Sequence, residues 1–101
     1  MFFIKEYYHC LENKVINTKG IDKFDFIQGI ISNDINFLKK NIPIYSAMLT
    51  PQGRFLFDFF ITMQNDTFFL ECNENYLDPI LKKLELFKLR SNVEIFFNEN
   101  I

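Results

Sequence analysis

The sequence predicts an α+β domain: a mostly antiparallel sheet with two helices packed on one face. Three observations predict it. Leu77, Ile80, Leu81, Leu84 and Phe87 follow the i, i+3, i+4, i+7 stripe of an amphipathic helix. Three apolar runs, Ile42–Thr50, Arg54–Met63 and Thr67–Cys72, are parted only by turn residues, so they read as a meander of strands. Phe26, Ile27, Ile30 and Ile31 repeat at helical spacing ahead of that meander. The resulting order is β-β-α-β-β-β-α-β.

Each element has a local reason. Tyr7–Leu11 and Lys14–Thr18 flank Glu12-Asn13 and suit a hairpin of short strands. Gly20 breaks the chain, Asp22 suits an N-cap, and a first helix follows over Lys23–Ser32. Gly29 inside that helix costs about 1 kcal/mol relative to Ala, which suggests a close backbone approach there. Ser32-Asn33-Asp34 ends the helix. Pro43 stands near the start of the next strand, where a missing donor does least harm. Pro51-Gln52-Gly53 and Asn65-Asp66 are turn chemistry. Pro79 falls in the first turn of the second helix, and Val93–Phe97 closes as a last strand.

The 101 residues fit one domain without linker, repeat or low-complexity tract. With 49% hydrophobic and 24% charged residues the chain is globular rather than disordered. A net charge of −2, with no basic block beyond Lys39-Lys40 and Lys82-Lys83, argues against direct nucleic-acid binding. The 14 Phe accompany abundant Ile, Asn and Lys, all with AT-rich codons, so Phe content is not read as base stacking. No apolar run approaches a membrane span, and the start is too quickly charged for a signal peptide. Cys10 and Cys72 make neither a disulfide framework nor a metal spacing, so the expectation is a cytoplasmic protein with reduced thiols. There is no Ser/His/Asp set, P-loop or dinucleotide fingerprint, and the lone His9 is assigned no role.

The most informative stretch is Leu49-Thr-Pro-Gln-Gly-Arg54, followed by Phe55-Leu-Phe-Asp-Phe-Phe-Ile61. It is a turn feeding a strand that is apolar except at Asp58. A carboxylate there is expensive unless it is paired, hydrogen-bonded or at work. Strand alternation offers a simpler account, in which Phe57 and Phe59 face the core and Asp58 faces solvent. The residues alone leave both open.

Three ordered blocks carry a resemblance. Gly20-Ile-Asp-Lys-Phe-Asp-Phe-Ile-Gln-Gly-Ile-Ile-Ser-Asn-Asp-Ile35 resembles G-x-D-x-x-x-F-L-Q-G-x-x-T-N-D-V. Tyr45-Ser-Ala-Met-Leu-Thr-Pro-Gln-Gly-Arg54 is similar to a-x-L-T-P-Q-G-R, with Asp58 at the inward acidic position that follows. Leu86-Phe-Lys-Leu-Arg-Ser-Asn-Val93 is similar to x-y-x-L-R-s-x-V. These are motifs of the N-terminal part of the YgfZ/GcvT folate-binding family, and they span about Tyr7 to Phe97. The glycine cleavage T-protein branch, an aminomethyltransferase, usually carries two Gly and then two Asp in the turn and strand. Gly53-Arg54 with the single acid Asp58 resembles the YgfZ-type branch more.

The resemblance implies a tetrahydrofolate-binding accessory protein of iron–sulfur cluster assembly or repair, associated with tRNA modification, and not by itself an enzyme. It implies a folate site with Asp58 near the reactive nitrogen, Tyr45 and Leu49 as aromatic and apolar walls, and Asn73 as a hydrogen-bonding partner. Each has a structural alternative: core packing for Tyr45 and Leu49, and a helix cap for Asn73. Asn33 and Asp34 fit a turn role. Arg54 suits either a folate glutamate tail or an exposed strand start, and Arg90 a tie between the last helix and the sheet. The family's Lys-Gly-Cys-Tyr-x-Gly-Gln motif, further folate-binding body and terminal barrel have no counterpart here. The chain therefore reads as a truncated first portion, whose partners are folate, iron–sulfur proteins or a second chain supplying the remainder. The rival readings are an aminomethyltransferase fragment and a ligand-free remnant or half of a split protein.

Overall fold

The computed structural model describes residues 13–97. The expected strand Tyr7–Leu11, with His9 and Cys10, lies outside the described residues. Five strands form one antiparallel sheet: β1 (Asn13–Lys19), β2 (Ile44–Leu49), β3 (Phe55–Gln64), β4 (Thr67–Asn73) and β5 (Glu94–Phe97), in spatial order β2-β3-β4-β1-β5. The expected meander is β2-β3-β4. The helices are α1 (Lys23–Gln28), a short α2 (Asn36–Lys39) and α3 (Leu77–Lys88), which a single 3-10 turn over Glu74–Tyr76 precedes. The architecture is the expected α+β class.

The two hairpin turns of the meander follow from their residues. Asn65 and Asp66 both take positive φ, 50° and 64°, as the two central residues of a tight primed turn require. In the other, the Gly53 N–H donates to the Thr50 carbonyl at 2.8 Å, and Gly53 itself sits at φ 86°. The Thr50 N–H donates to the Arg54 carbonyl, and the Thr50 hydroxyl accepts from the Arg54 N–H. This turn leaves a bulge between Met48 and Leu49 where β2 meets β3.

One face of the sheet carries the core. Ile16, Ile44, Met48, Phe59, Ile61, Phe68, Leu70 and Cys72 pack under Phe26, Ile27, Leu38, Ile80 and Leu84 of the three helices. Ile80 and Leu84 are the buried centre of the expected α3 stripe. Lys23 opens α1 only 5% exposed, its ammonium 2.8 Å from the Asp66 carboxylate and above the Phe24 and Phe68 rings. That contact ties α1 to the β3–β4 turn.

Four expectations are corrected. The first helix stops at Gln28, not Ser32, because residues 30–32 instead pair with the outer edge of β2. The Leu49 N–H donates to the Ile30 carbonyl, and the Ser32 N–H to the Ala47 carbonyl, both at 2.9 Å. Gly29 ends the helix at ordinary φ and has room for a Cβ. The close approach belongs to Gly20, at φ 125°, where a Cβ would collide with the Asn92 carbonyl. Asp22 makes no side-chain cap on α1; its carboxylate accepts from the Asn92 N–H at 2.6 Å, and its own N–H donates to the Asn92 carbonyl. That pair joins the α1 start to the segment before β5. Arg90 is exposed and makes no ion pair or side-chain hydrogen bond among the described residues, so the expected tie between the last helix and the sheet is not made by its side chain there.

Candidate functional site

The second face of the sheet is half closed and half open. At one end Val15, Asn17, Thr62 and Glu71 are buried; toward β2, Tyr45 is 51% exposed and Asp58 lies in solvent. Tyr45 stands opposite Phe60, and Ala47 opposite Asp58, so Tyr45 and Asp58 are diagonal neighbours on this face. The Tyr45 carbonyl accepts from Asn33 Nδ2, and the Ala47 N–H and carbonyl bond to Ser32, so both residues turn their backbone polar groups away from β3. Tyr45 and Phe60 thus form a pair without mutual backbone bonds, the kind whose side chains approach most closely. Their ring centroids are 5.0 Å apart, tilted by 51°.

The Tyr45 hydroxyl donates to Asp58 Oδ2. That bond, then burial, then the carboxylate's charge push the phenol above its ordinary value of 10.0. Asp58 Oδ1 meets no donor among the described residues. The arrangement therefore offers one open carboxylate oxygen beside a pair of aromatic rings. It suits a flat heteroaromatic ligand with an N–H donor on its edge, and a pterin is such a group. A carboxylate in solvent also resolves the apparent cost of an acid in an apolar strand: Asp58 is not buried, and Phe59, at 2% exposure, faces the core.

The other two expected site residues are placed differently. The bulge between Met48 and Leu49 diverts Leu49 from the Tyr45 face. It lines a small pocket of about 120 Å³ with Gly29, Ile30, Pro51 and Phe87, on the helical side of the sheet. Asn73 ends β4; continuing the Phe60–Glu71 register sets it level with Asp58. Its Oδ1 accepts from the Asn75 N–H at 2.9 Å and caps the 3-10 turn, so its acceptor is engaged. Arg54 is exposed at the strand start. Tyr45 and Asp58 are brought together, Asn73 is nearby with its acceptor committed, and Leu49 is apart.

The sequence singles out neither Phe60 nor the Gln28 and Ser46 side chains that order the expected turn after α1. Phe60 is one of four Phe within six residues, and only the register of β3 singles it out. In the loop, Gln28 spans the turn, donating through Nε2 to the Asn33 carbonyl and accepting at Oε1 from the Ile35 N–H, both at 2.8 Å. Ser46, 2% exposed, accepts through Oγ from the Ser32 and Asn33 N–H groups. The Gln-Gly-x-x-Ser-Asn-Asp block thus sews the loop to the outer edge of β2, which is the turn role expected of Asn33 and Asp34.

No family model matches the chain. In sequence it is similar to the mitochondrial iron-sulfur cluster assembly factor IBA57 homologs of two fungi. The Mycosarcoma maydis protein is 29% identical over 94 residues, which are 80% of this chain and 23% of the relative. The Neosartorya fischeri protein is 30% identical over 106 aligned residues, covering 87% of this chain and 24% of the relative. In structure it is similar to the glycine cleavage system aminomethyltransferase T from Bartonella henselae, with a TM-score of 0.76 and 22% identity, over 86% of this chain and 24% of that one. The chain spans about a quarter of the length of each of these proteins. Its fold is that of the N-terminal part of aminomethyltransferase T.

Proposed function

We propose that residues 1–101 form one folate-binding-family domain of the YgfZ type, which contacts tetrahydrofolate and serves iron–sulfur cluster assembly or repair, with the associated tRNA modification depending on it. The observation that carries this reading is the Tyr45–Asp58 pair on the open end of the sheet, with one carboxylate oxygen available beside the Tyr45 and Phe60 rings. The similarity to proteins named as iron-sulfur cluster assembly factors supports the pathway. The single acid after Gly53-Arg54 supports the YgfZ-type branch over the aminomethyltransferase, whose usual second Asp is Phe57 here.

In this reading Asp58 accepts from the folate ring, Tyr45 holds the carboxylate and walls the ligand, and Asn73 contributes through its amide group. Leu49 takes part only if the bulge reverses. Iron–sulfur proteins, or a second chain that completes the site, are the partners. The composition suggests the cytoplasm, whereas the relatives' names place them in mitochondria; cell fractionation decides between the two.

The test is an amide-resolved NMR titration of the chain with tetrahydrofolate, with Asp58→Ala in parallel. Saturable shifts clustered at Tyr45, Asp58 and Phe60, weakened in the variant, are the expected result. A well-dispersed spectrum that ignores the ligand removes folate binding from this chain.

A further inference from the structure

We infer that Asn33 is a positioning residue: its carboxamide holds the outer edge of β2 at Tyr45 and so sets the reach of the Tyr45 hydroxyl to Asp58. The folate consequence rests on the reading above; the positioning itself does not. Asn33 Nδ2 donates to the Tyr45 carbonyl at 3.0 Å, while its Oδ1 accepts from the Asp34 N–H at 2.7 Å. One side chain therefore shapes the turn with its oxygen and grips the strand with its nitrogen. β2 is the terminal strand of the named sheet, so the Tyr45 carbonyl faces away from β3 and has this amide as its partner. The outer edge of β2 is otherwise held from residue 46 onward, by the 30–33 segment, so at Tyr45 the Asn33 amide is the outermost of these bonds.

The grip is local. The neighbouring bonds across the same seam fall on Ala47, Ser46 and Leu49, from the Ser32, Asn33 and Ile30 backbone and the Ser32 hydroxyl, and the Asn33 backbone bond to Ser46 does not involve its carboxamide. Among the described residues, Asn33 alone bonds Tyr45 across this seam. Gln28 in turn fixes the Asn33 backbone from the other side, so the amide is aimed before Tyr45 is engaged. Tyr45 is 51% exposed, and the described contacts to its side chain come from Phe60 and Asp58. A shift of its backbone therefore carries the hydroxyl away from the carboxylate with little packing to resist it.

The substitution that separates the two roles is Asn33→Asp. It keeps the oxygen that shapes the turn and replaces the donor facing Tyr45 with a second acceptor. The readout is the titration of the Tyr45 phenol in the ligand-free protein, followed by NMR of labelled tyrosine and assigned with Tyr45→Phe. Asp58→Asn first establishes how far the wild-type titration depends on the carboxylate. Asp66→Asn, which loosens the Lys23 contact at the far turn, controls for general destabilisation. The expected result is that Asn33→Asp moves the Tyr45 titration back toward the Asp58→Asn value while Asp66→Asn leaves it at the wild-type value. Tetrahydrofolate binding is then about three- to tenfold weaker, the range of one lost neutral hydrogen bond. A wild-type Tyr45 titration in a folded Asn33→Asp overturns the inference and leaves Asn33 a turn residue. Should Asn33→Asp fail to fold, Asn33→Ser, whose hydroxyl retains a turn acceptor but cannot span to Tyr45, replaces it with the same two outcomes. A moved titration in a protein that ignores folate upholds the positioning and removes the folate reading instead.

Discussion

Asp58 and Phe59 are adjacent in β3 and opposite in environment. Phe59 is 2% exposed, pressed among Ile44, Ile61 and the helices, whereas Asp58 lies in solvent with Tyr45 as its partner. The difference extends along the sheet. On the helical face the side chains are apolar and interlocked, so volume decides what is tolerated. At the open end of the other face little is packed, so charge and hydrogen bonding decide. Stability and binding are therefore separable here by single substitutions on neighbouring residues.

The largest effect belongs to the closed face. Phe59→Ala removes a fully buried ring from the centre of the core and is expected to cost about 3–5 kcal/mol. Urea unfolding followed by circular dichroism reads it. A loss under about 1 kcal/mol would erase the contrast between the faces, because that is the scale of a surface change.

The second effect is a pH dependence that also differs between faces. Cys72 is 2% exposed on the helical face, and burial, with Glu71 beside it, pushes its thiol from 9.0 up to about 12. A raised folded value means that the unfolded chain ionises first. The stability linked to Cys72 is therefore whole below about pH 9 and is lost as pH rises toward 12. Tyr45 shifts in the same direction from 10.0, but at 51% exposure solvent screens its contribution. Urea midpoints are expected to fall between pH 8 and 10.5 in the wild type and to fall less in Cys72→Ala, with Tyr45→Phe changing the slope little. An equal flattening by Tyr45→Phe would show the two faces to be equally enclosed.

The sequence exposed the parts of this contrast that rest on periodicity and turn chemistry. The α3 stripe, the Asn65-Asp66 turn and the three strands of the meander are each encoded within a dozen residues. The parts that depend on pairing were hidden. Helical spacing of Phe26, Ile27, Ile30 and Ile31 is real, yet Ile31 is buried as a bridge to Met48 and not as a helical residue, because the free edge of β2 offers backbone partners that periodicity cannot register. Asp22 looked like a cap because its partner Asn92 lies 70 residues away. Leu49 is expected as a wall of the Asp58 site by resemblance alone; plain alternation would carry it to the Tyr45 face, and the bulge between Met48 and Leu49 diverts it. Asp58 itself was legible because it interrupts an apolar run, while its partner Tyr45 could be named only through resemblance.

The Leu49 placement gives the third test. Leu49→Asp sets a carboxylate into the pocket beside Ile30 and Phe87 and is expected to cost about 1–3 kcal/mol, the range for an unsatisfied buried polar group. It leaves the Tyr45 titration unchanged, since a sheet separates the two side chains. A stable Leu49→Asp with a displaced Tyr45 titration would put Leu49 on the open face and restore it to the site.

The smallest stability effect is the most informative for function. Asp58→Asn keeps the shape of the side chain, keeps an acceptor for the Tyr45 hydroxyl and removes the charge. At an exposed position without core contacts it is expected to change stability by no more than about 0.5 kcal/mol. The Tyr45 phenol nevertheless titrates lower, because the stronger charged acceptor and its repulsion of a phenolate are both gone. Unfolding and tyrosine titration on the same sample read the two together. A large stability loss would mean that Asp58 is structural and that β3 has two closed faces. A neutral one leaves a carboxylate that the fold does not need and that is open to a ligand from solvent.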